Sequence, residues 1–480
     1  MGAFPQTGGD TLIYGNIAKN LLLRGQYALS DGSGITHLTL IRVPGYPFFL
    51  AACFRIFGID NYNAVAWLQI ALELAACLLL ADFVRRIGTP RAGLNALWLA
   101  TLCPFTAVFS AAPLTESLTF DAICLSLWSL ERHLSLFADQ NSLGSMGSSE
   151  QPPKAEEPPE LSSAAHILRR RGALVLLTVA LSAAALLRPD GAILSFALWP
   201  ALIFSRPATL SFAVRLRPAL LCALLSLVPF AIWTQRNWQA FHVFEPLAPR
   251  YANDPGEDPH LGWQHWVKTW CLDFTCTYDI YWSVPDEKLD PASLPSQAFD
   301  SPDQQVRTLA LFARYNKSLD ISPDLDADFE ALAQERAQSH PLRTHLLLPL
   351  GRLADMALRP RVENLTIDLR WWEYNQHRAE TRFSWAYAAL NLILLVLGLV
   401  GVIHRPRLWP YMAAYLVMRS LLLMTIEAPE TRYTLEFFPF VFALAGIAMQ
   451  RIHALAAKQI KRPPIIASTP DFPRQLPSSD

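Results

Sequence analysis

The chain has 480 residues, of which 52% are hydrophobic and only 17% charged, with a formal net charge of −1. Soluble domains carry roughly a quarter charged residues, so an evenly mixed globule is excluded. The near-neutral balance gives no basis for a nucleic-acid partner. Long apolar runs alternate with three polar stretches: the N-terminal 40 residues, 138–170 and 236–383.

In chain order, Gly8-Gly9-Asp10 precedes an amphipathic stretch from Thr11 to Leu23, and Arg42 in RVPGYP precedes an apolar helix over 46–57. Crossing hydrocarbon takes about 20 apolar residues, so that helix is too short to span and is placed beside the membrane. Nine later segments suit spans: 62–84, 92–111, 113–130, 172–187, 191–205, 216–234, 385–403, 408–426 and 433–450. Pro189 and Gly191 separate the fourth and fifth, which read as a helical hairpin.

Lys and Arg in short loops mark the cytoplasmic side. Arg85, Arg86 and Arg91, then Arg169, Arg170 and Arg171, then Arg206, Arg215 and Arg217, then Arg405 and Arg407, and finally Arg451, Lys458, Lys461 and Arg462 all fall on one side of this arrangement. The organisation that follows is a first extracytoplasmic loop (1–60), a transmembrane bundle (61–235), an extracytoplasmic loop domain (236–383), C-terminal membrane helices (384–452) and a cytoplasmic tail (453–480). The cytoplasmic insert 138–170, rich in Ser, Pro and Glu, is expected to be disordered. No leader that could carry 1–60 across the membrane is visible, so a further helix upstream of Met1 is expected.

The loop domain carries Trp238, Trp263, Trp266, Trp270, Trp282, Trp371 and Trp372. Tryptophan favours places where one edge is apolar and the other wet, which predicts a domain lying on the membrane surface. Sugar stacking on some of the rings is the sharper alternative. Cys271 and Cys276 lie in CLDFTC, where an outside location permits a disulfide. The other five cysteines sit in apolar runs as small hydrophobes, and no histidine spacing completes a zinc site.

Four polar clusters reach the outer side: Asp10; Arg42; Glu116 in PLTES with Arg188 and Asp190 in RPD; and Glu427, Glu430, Arg432 and Tyr433 in EAPETRY. Charges this close to hydrocarbon are expensive and are paired or functional. Each has a plain reading: a helix cap for Glu116, a turn salt bridge for Arg188 with Asp190, solvated loop acids for Glu427 and Glu430, a turn residue for Asp10. Their convergence carries the functional reading.

GGDTLIYGNIAKNLL, GQYAL and RVPGYPFFLAACFRIFG, with PLTESL and ETRYTLEFFPF, resemble the GT-C glycosyltransferases. More narrowly, they resemble the branch of the dolichyl-phosphate-mannose protein mannosyltransferases (family 39), ArnT and the RgtA/B/C/D-like enzymes. The resemblance covers most of 8–235 and 384–450, leaving 236–383 as an unmatched outer loop. It implies an all-α GT-C membrane fold and transfer of a sugar from a polyprenyl-phosphate donor to a protein, lipid or glycan acceptor, outside a bacterial-type inner membrane. In that family an acid of the first loop is the catalytic base, and the matching position is Asp10. Arg42, Arg432 and Tyr433, with Arg188 beside them, match donor-phosphate contacts, and Glu116, Asp190, Glu427 and Glu430 support them. A guanidinium suits a phosphate because it donates two hydrogen bonds at once.

Inversion is expected, since no second carboxylate stands as a nucleophile. No cofactor is implied beyond the lipid-phosphate sugar itself, and a divalent metal is left open because one isolated acid gives no coordination set. A transporter or flippase of lipid-linked sugars is the rival; it predicts repeats, broken helices and ionisable groups deep in spans. Glu73, near the middle of the first span, is such a residue.

Overall fold

The computed structural model describes residues 8–146, 159–206, 209–365, 367–372 and 377–460. Helices dominate them, and the only sheet among the described residues is an antiparallel hairpin, β1 (Ala28–Ser30) with β2 (Thr36–Leu38), in register Ala28 opposite Leu38. The hairpin follows α1 (Asp10–Arg24), whose C-terminus is closed by left-handed Gly25. Next come α2 (Gly45–Phe57), α3 (Tyr62–Ile87), α4 (Pro90–Thr101), α5 (Pro104–Ser110), α6 (Thr115–Met146), α7 (Pro159–Leu187), α8 (Ala192–Phe204) and α9 (Phe212–Phe241).

Each of the nine segments expected to span contains helix, but 92–111 is interrupted at Leu102–Cys103 and 433–450 begins in a 3₁₀ turn. Five helical segments among the described residues have the length and hydropathy to cross a membrane: Tyr62–Ile87, Ala164–Leu187, Phe212–Phe241, Arg378–Ile403 and Thr431–Ala456. A sixth is α4 with α5, bent by 56°. Pro104 causes the bend, lacking the N–H that would continue α4 and forcing Cys103 into extended backbone. The expected hairpin at 172–205 breaks at a single 3₁₀ turn, Pro189–Gly191, leaving α8 only 13 residues long. α9 leaves Leu220, Leu224, Leu227 and Ile232 outward and exposed, an apolar face that hydrocarbon covers without cost.

The insert differs from the expectation of disorder at both ends. Residues 147–158 lie outside the described residues, but α6 extends to Met146 and α7 begins at Pro159. The two helices pack on one another: His133 Nδ1 lies 3.0 Å from the Arg170 carbonyl, and the Arg170 guanidinium covers the Phe137 ring. Of the tail, 461–480 lies outside the described residues, and the last helix runs on to Ile460.

Beyond α9 the loop domain contains α10 (Leu261–Lys268), a single turn α11 (Phe274–Cys276), α12 (Pro302–Ser318), α13 (Pro323–Ser339) and α14 (Leu348–Leu358). Trp263, Trp266 and Trp270 point inward here, 1–2% exposed, against Phe312, Tyr315 and Phe329. These three form a separate hydrophobic core rather than a membrane-facing belt. Trp263 and Trp266 share one face of α10 and Trp270 follows in the turn just past its end, and burial of that area drives the subdomain together. Cys271 and Cys276 form a disulfide. The chain then returns through α15 (Arg378–Ile403), α16 (Trp409–Leu423) and α17 (Phe438–Ile460).

Two close approaches set the site. Thr11 donates to the Pro113 carbonyl at 3.3 Å, fastening α1 to the start of α6. Gly45 opens α2 so near the end of α7 that an added Cβ would stand 2.5 Å from the Leu186 carbonyl oxygen. Gly45→Ala is therefore expected to push α2 off α7 and cost about 1–3 kcal/mol, read as a lower midpoint of thermal unfolding in detergent.

Candidate functional site

Polar side chains gather at two opposite ends of the bundle. At one end Glu131 lies 3.8 Å from Arg86 and 3.4 Å from Arg407, with Arg206 on His133 at 2.8 Å. At the other end lie Glu116, Arg188 and Asp190. Glu116 and Glu131 are both on α6, 15 residues apart in numbering, which is about 22 Å along a helix. The arginine clusters assigned to one side and the clusters assigned to the other are thus separated by most of a hydrocarbon thickness.

Asp10 is the first residue of α1, after Gly9 in a positive-φ conformation (φ 49°). Both of its oxygens are occupied: Arg42 donates to Oδ1 at 2.8 Å, and Arg432 stands 3.0 Å from Oδ2. Burial by itself would raise the Asp10 carboxyl, but Arg432 and Arg42 outweigh it and hold it down at about 2. Beside it, burial pushes the Tyr14 phenol up to about 12, and the Arg42 guanidinium lies over the Tyr14 ring.

Arg432 also donates to Glu430 at 2.6 Å and lies 3.7 Å from Glu116. The Tyr433 hydroxyl donates to the same Glu430. Arg188 donates to Glu116 at 3.0 Å, lies 3.4 Å from Asp190, and covers the Tyr433 ring. Eight of the nine residues singled out by sequence therefore form one connected network. Glu427 stands apart from it: the carboxylate takes Arg250 at 2.8 Å and Lys268 at 3.0 Å, fastening the loop domain to the end of α16.

Two residues of this network escaped the sequence reading. Arg419, fully buried on α16, bridges Asp190 at 2.8 Å and Glu436 at 2.9 Å and donates to the Tyr433 carbonyl at 2.9 Å. Glu436 also lies 3.1 Å from Arg188 and accepts from the Tyr415 hydroxyl at 2.9 Å. Their sequence signal was present, since a charge inside an apolar run is functional or paired by default. Glu73, by contrast, lies deeper in the bundle and accepts from Ser117 at 2.9 Å.

The network faces a cavity of about 750 Å³. Arg42, Arg188 and Arg432 line it together with the apolar side chains of Leu187, Ile193, Leu422 and Ile426. Every guanidinium in the network already has a carboxylate, so an incoming anion would share or displace one of these partners. Among the described residues, no group of three or more His, Cys, Asp or Glu side chains converges to hold a metal ion.

Residues 42–144 match the family described as dolichyl-phosphate-mannose-protein mannosyltransferase. The match takes in RVPGYP and PLTES, two of the motifs that carried the sequence resemblance, and stops short of Asp10 and ETRY. Solved structures similar to this chain include ArnT from Cupriavidus metallidurans in the apo state, 16% identical, covering 96% of this chain and 76% of that one with a TM-score of 0.38. The same enzyme bound to undecaprenyl phosphate is 15% identical, with 94% and 76% covered and a TM-score of 0.35. The Archaeoglobus fulgidus oligosaccharyltransferase complex with zinc and sulfate is 12% identical with a TM-score of 0.43; 94% of this chain aligns, but only 46% of that one. No curated protein matches the chain.

Proposed function

We propose that this chain is a membrane glycosyltransferase of the GT-C type, moving a sugar from a polyprenyl-phosphate donor onto an acceptor hydroxyl with inversion. The observation that carries the reading is Asp10, held between Arg42 and Arg432 at a cavity lined by guanidiniums and by apolar side chains. The start of a prenyl chain suits the apolar lining residues, and its phosphate suits the guanidiniums. As the phosphate draws Arg42 and Arg432 toward itself, Asp10 loses the charges that make it a poor base. Asp10 then takes the acceptor proton as the acceptor oxygen bonds to the anomeric carbon. The anomeric carbon–phosphate oxygen bond breaks with its electron pair going to the phosphate, where Arg42, Arg188 and Arg432 stabilise the added charge.

The site is assigned to the extracytoplasmic face of a bacterial-type inner membrane. The arginine-rich loops at the opposite end support that orientation, and so does a disulfide in the loop domain on the site's own side.

The exchange makes a pH prediction. In the free enzyme Asp10 protonates only near pH 2, so it leaves no acid limb in kcat/KM between about pH 5 and 8. Once the donor phosphate shares the arginines, the carboxyl rises toward its ordinary value, and the acid limb of kcat lies at higher pH than that of kcat/KM. Rate profiles with undecaprenyl-phosphate sugars in nanodiscs test this; coincident limbs would rule out the exchange.

A further inference from the structure

A second cavity, of about 650 Å³, adjoins the first and shares Asp10, Leu114, Trp282, Glu430 and Arg432 with it. The two therefore meet at the Asp10–Arg432 pair, with the apolar and arginine-rich space on one side. The wall of the second is different in kind. Phe274, Tyr278 and Trp282 follow one another at four-residue intervals along it, with ring centroids 5.6 Å apart for Phe274 and Trp282 and 5.9 Å for Tyr278 and Trp282. Tyr278 is 56% and Trp282 43% exposed, whereas Trp263, Trp266 and Trp270 of the same domain are consumed by its core.

This aromatic wall is built rather than left over. The Cys271–Cys276 disulfide closes its start, and Asp273 accepts from the Cys276 N–H at 3.1 Å. The chain then widens by one residue, the Trp282 N–H reaching the Thr277 carbonyl at 3.0 Å, a π-type turn of the sort found at functional sites. Thr277 donates to the Pro429 carbonyl at 3.1 Å and Arg370 pairs with Asp279 at 2.8 Å, fixing the wall against the loop that carries Glu430 and Arg432. Large rings kept open to water in a concave site mark a binding surface.

Glu363 and Asp368 also line this cavity, so with Asp10 and Glu430 its carboxylates outnumber its single guanidinium, Arg432. An anionic ligand finds no uncommitted guanidinium among these lining side chains, Arg432 being shared by Asp10 and Glu430, while sugar hydroxyls find acceptors and the C–H face of a pyranose finds flat rings. The geometry points to this cavity as the acceptor site, and to an uncharged glycan as the acceptor, its ring on Tyr278 and Trp282 and its reacting hydroxyl at Asp10. The inference rests on the transferase reading above and narrows its acceptor.

The test uses the full chain in lipid nanodiscs and three probes: neutral trisaccharides of mannose, glucose, galactose and N-acetylglucosamine; a sialylated trisaccharide; and a Ser/Thr-rich peptide. Undecaprenyl phosphate binding is measured in the same preparation. At least one neutral trisaccharide is expected to bind by saturation-transfer NMR, with Kd raised about tenfold or more by Tyr278→Ala and retained by Tyr278→Phe. Unchanged thermal unfolding of Tyr278→Ala serves as the fold control, its side chain being half exposed. Binding of the peptide or the sialylated sugar alone, neutral-sugar binding indifferent to Tyr278→Ala, or no sugar binding at all overturns the inference. Neutral-sugar binding without undecaprenyl phosphate binding leaves the glycan site standing and sinks the transferase reading instead.

Discussion

Asp10→Asn is expected to lower the rate of sugar transfer by about 10²–10⁴-fold while undecaprenyl phosphate still binds. The amide keeps the size of the carboxyl but has no lone pair basic enough to take the acceptor proton. It also releases Arg42 and Arg432, which lie 2.8 and 3.0 Å from the native oxygens, and these remain available to the phosphate. The separation of the two readouts is the substance of the prediction. If Asp10 were only a brace for the arginines, binding and turnover would fall together. Full transfer activity in the Asn variant, assayed in membranes with a defined donor, would remove Asp10 from the chemistry.

The second large effect falls on Arg419, a residue that need not touch either substrate. It is fully buried and pairs with both Asp190 and Glu436. Arg419→Ala leaves those two carboxylates with Arg188 as their remaining guanidinium, and an uncompensated buried charge costs about 3–5 kcal/mol. Loss of stability is expected first, followed by weaker donor binding as Arg188 is drawn toward the freed acids and away from the cavity. Adding Glu436→Gln to Arg419→Ala removes one unpaired charge and should recover part of the loss; the two residues touch, so their effects are coupled. Strictly additive losses in the double variant would show that the pair is not a unit. Arg419→Lys is not expected to rescue, because an ammonium cannot present the planar fork that serves Asp190, Glu436 and the Tyr433 carbonyl together.

The same contrast runs through what could be read without coordinates. Gly8-Gly9-Asp10, RVPGYP, PLTES, RPD and EAPETRY stood out because each places polar groups at the edge of an apolar run, and the cost of burying charge makes such positions few. Arg419 and Glu436 obey the same physics. They were passed over because apolar neighbours on both sides made their segments read simply as spans. For the tryptophans the difficulty was of another kind: a ring's preference for an interface and its capacity to fill a core look alike in sequence. Trp266 and Trp282 are 16 residues apart by number, yet one is core and the other lines two cavities.

By itself, the sequence determined that the chain is helical and membrane-embedded, that a break falls at Pro189–Gly191, and which segments hold charge at the edges of apolar runs; the break before Pro104 was not among them. Those properties follow from local composition: apolar length, proline and glycine positions, and the sidedness of arginine. Which charge meets which was decided by the tertiary structure, because Asp10, Arg42, Glu116, Arg188 and Arg432 come from five separate segments spread over more than 400 residues. Only packing such as Gly45 against α7 and Thr11 against Pro113 brings them within hydrogen-bond reach. The state of Asp10 also belongs to the folded protein. Two guanidiniums hold that carboxylate, and their distances, set by helices far apart in the chain, decide whether it is a brace or a base.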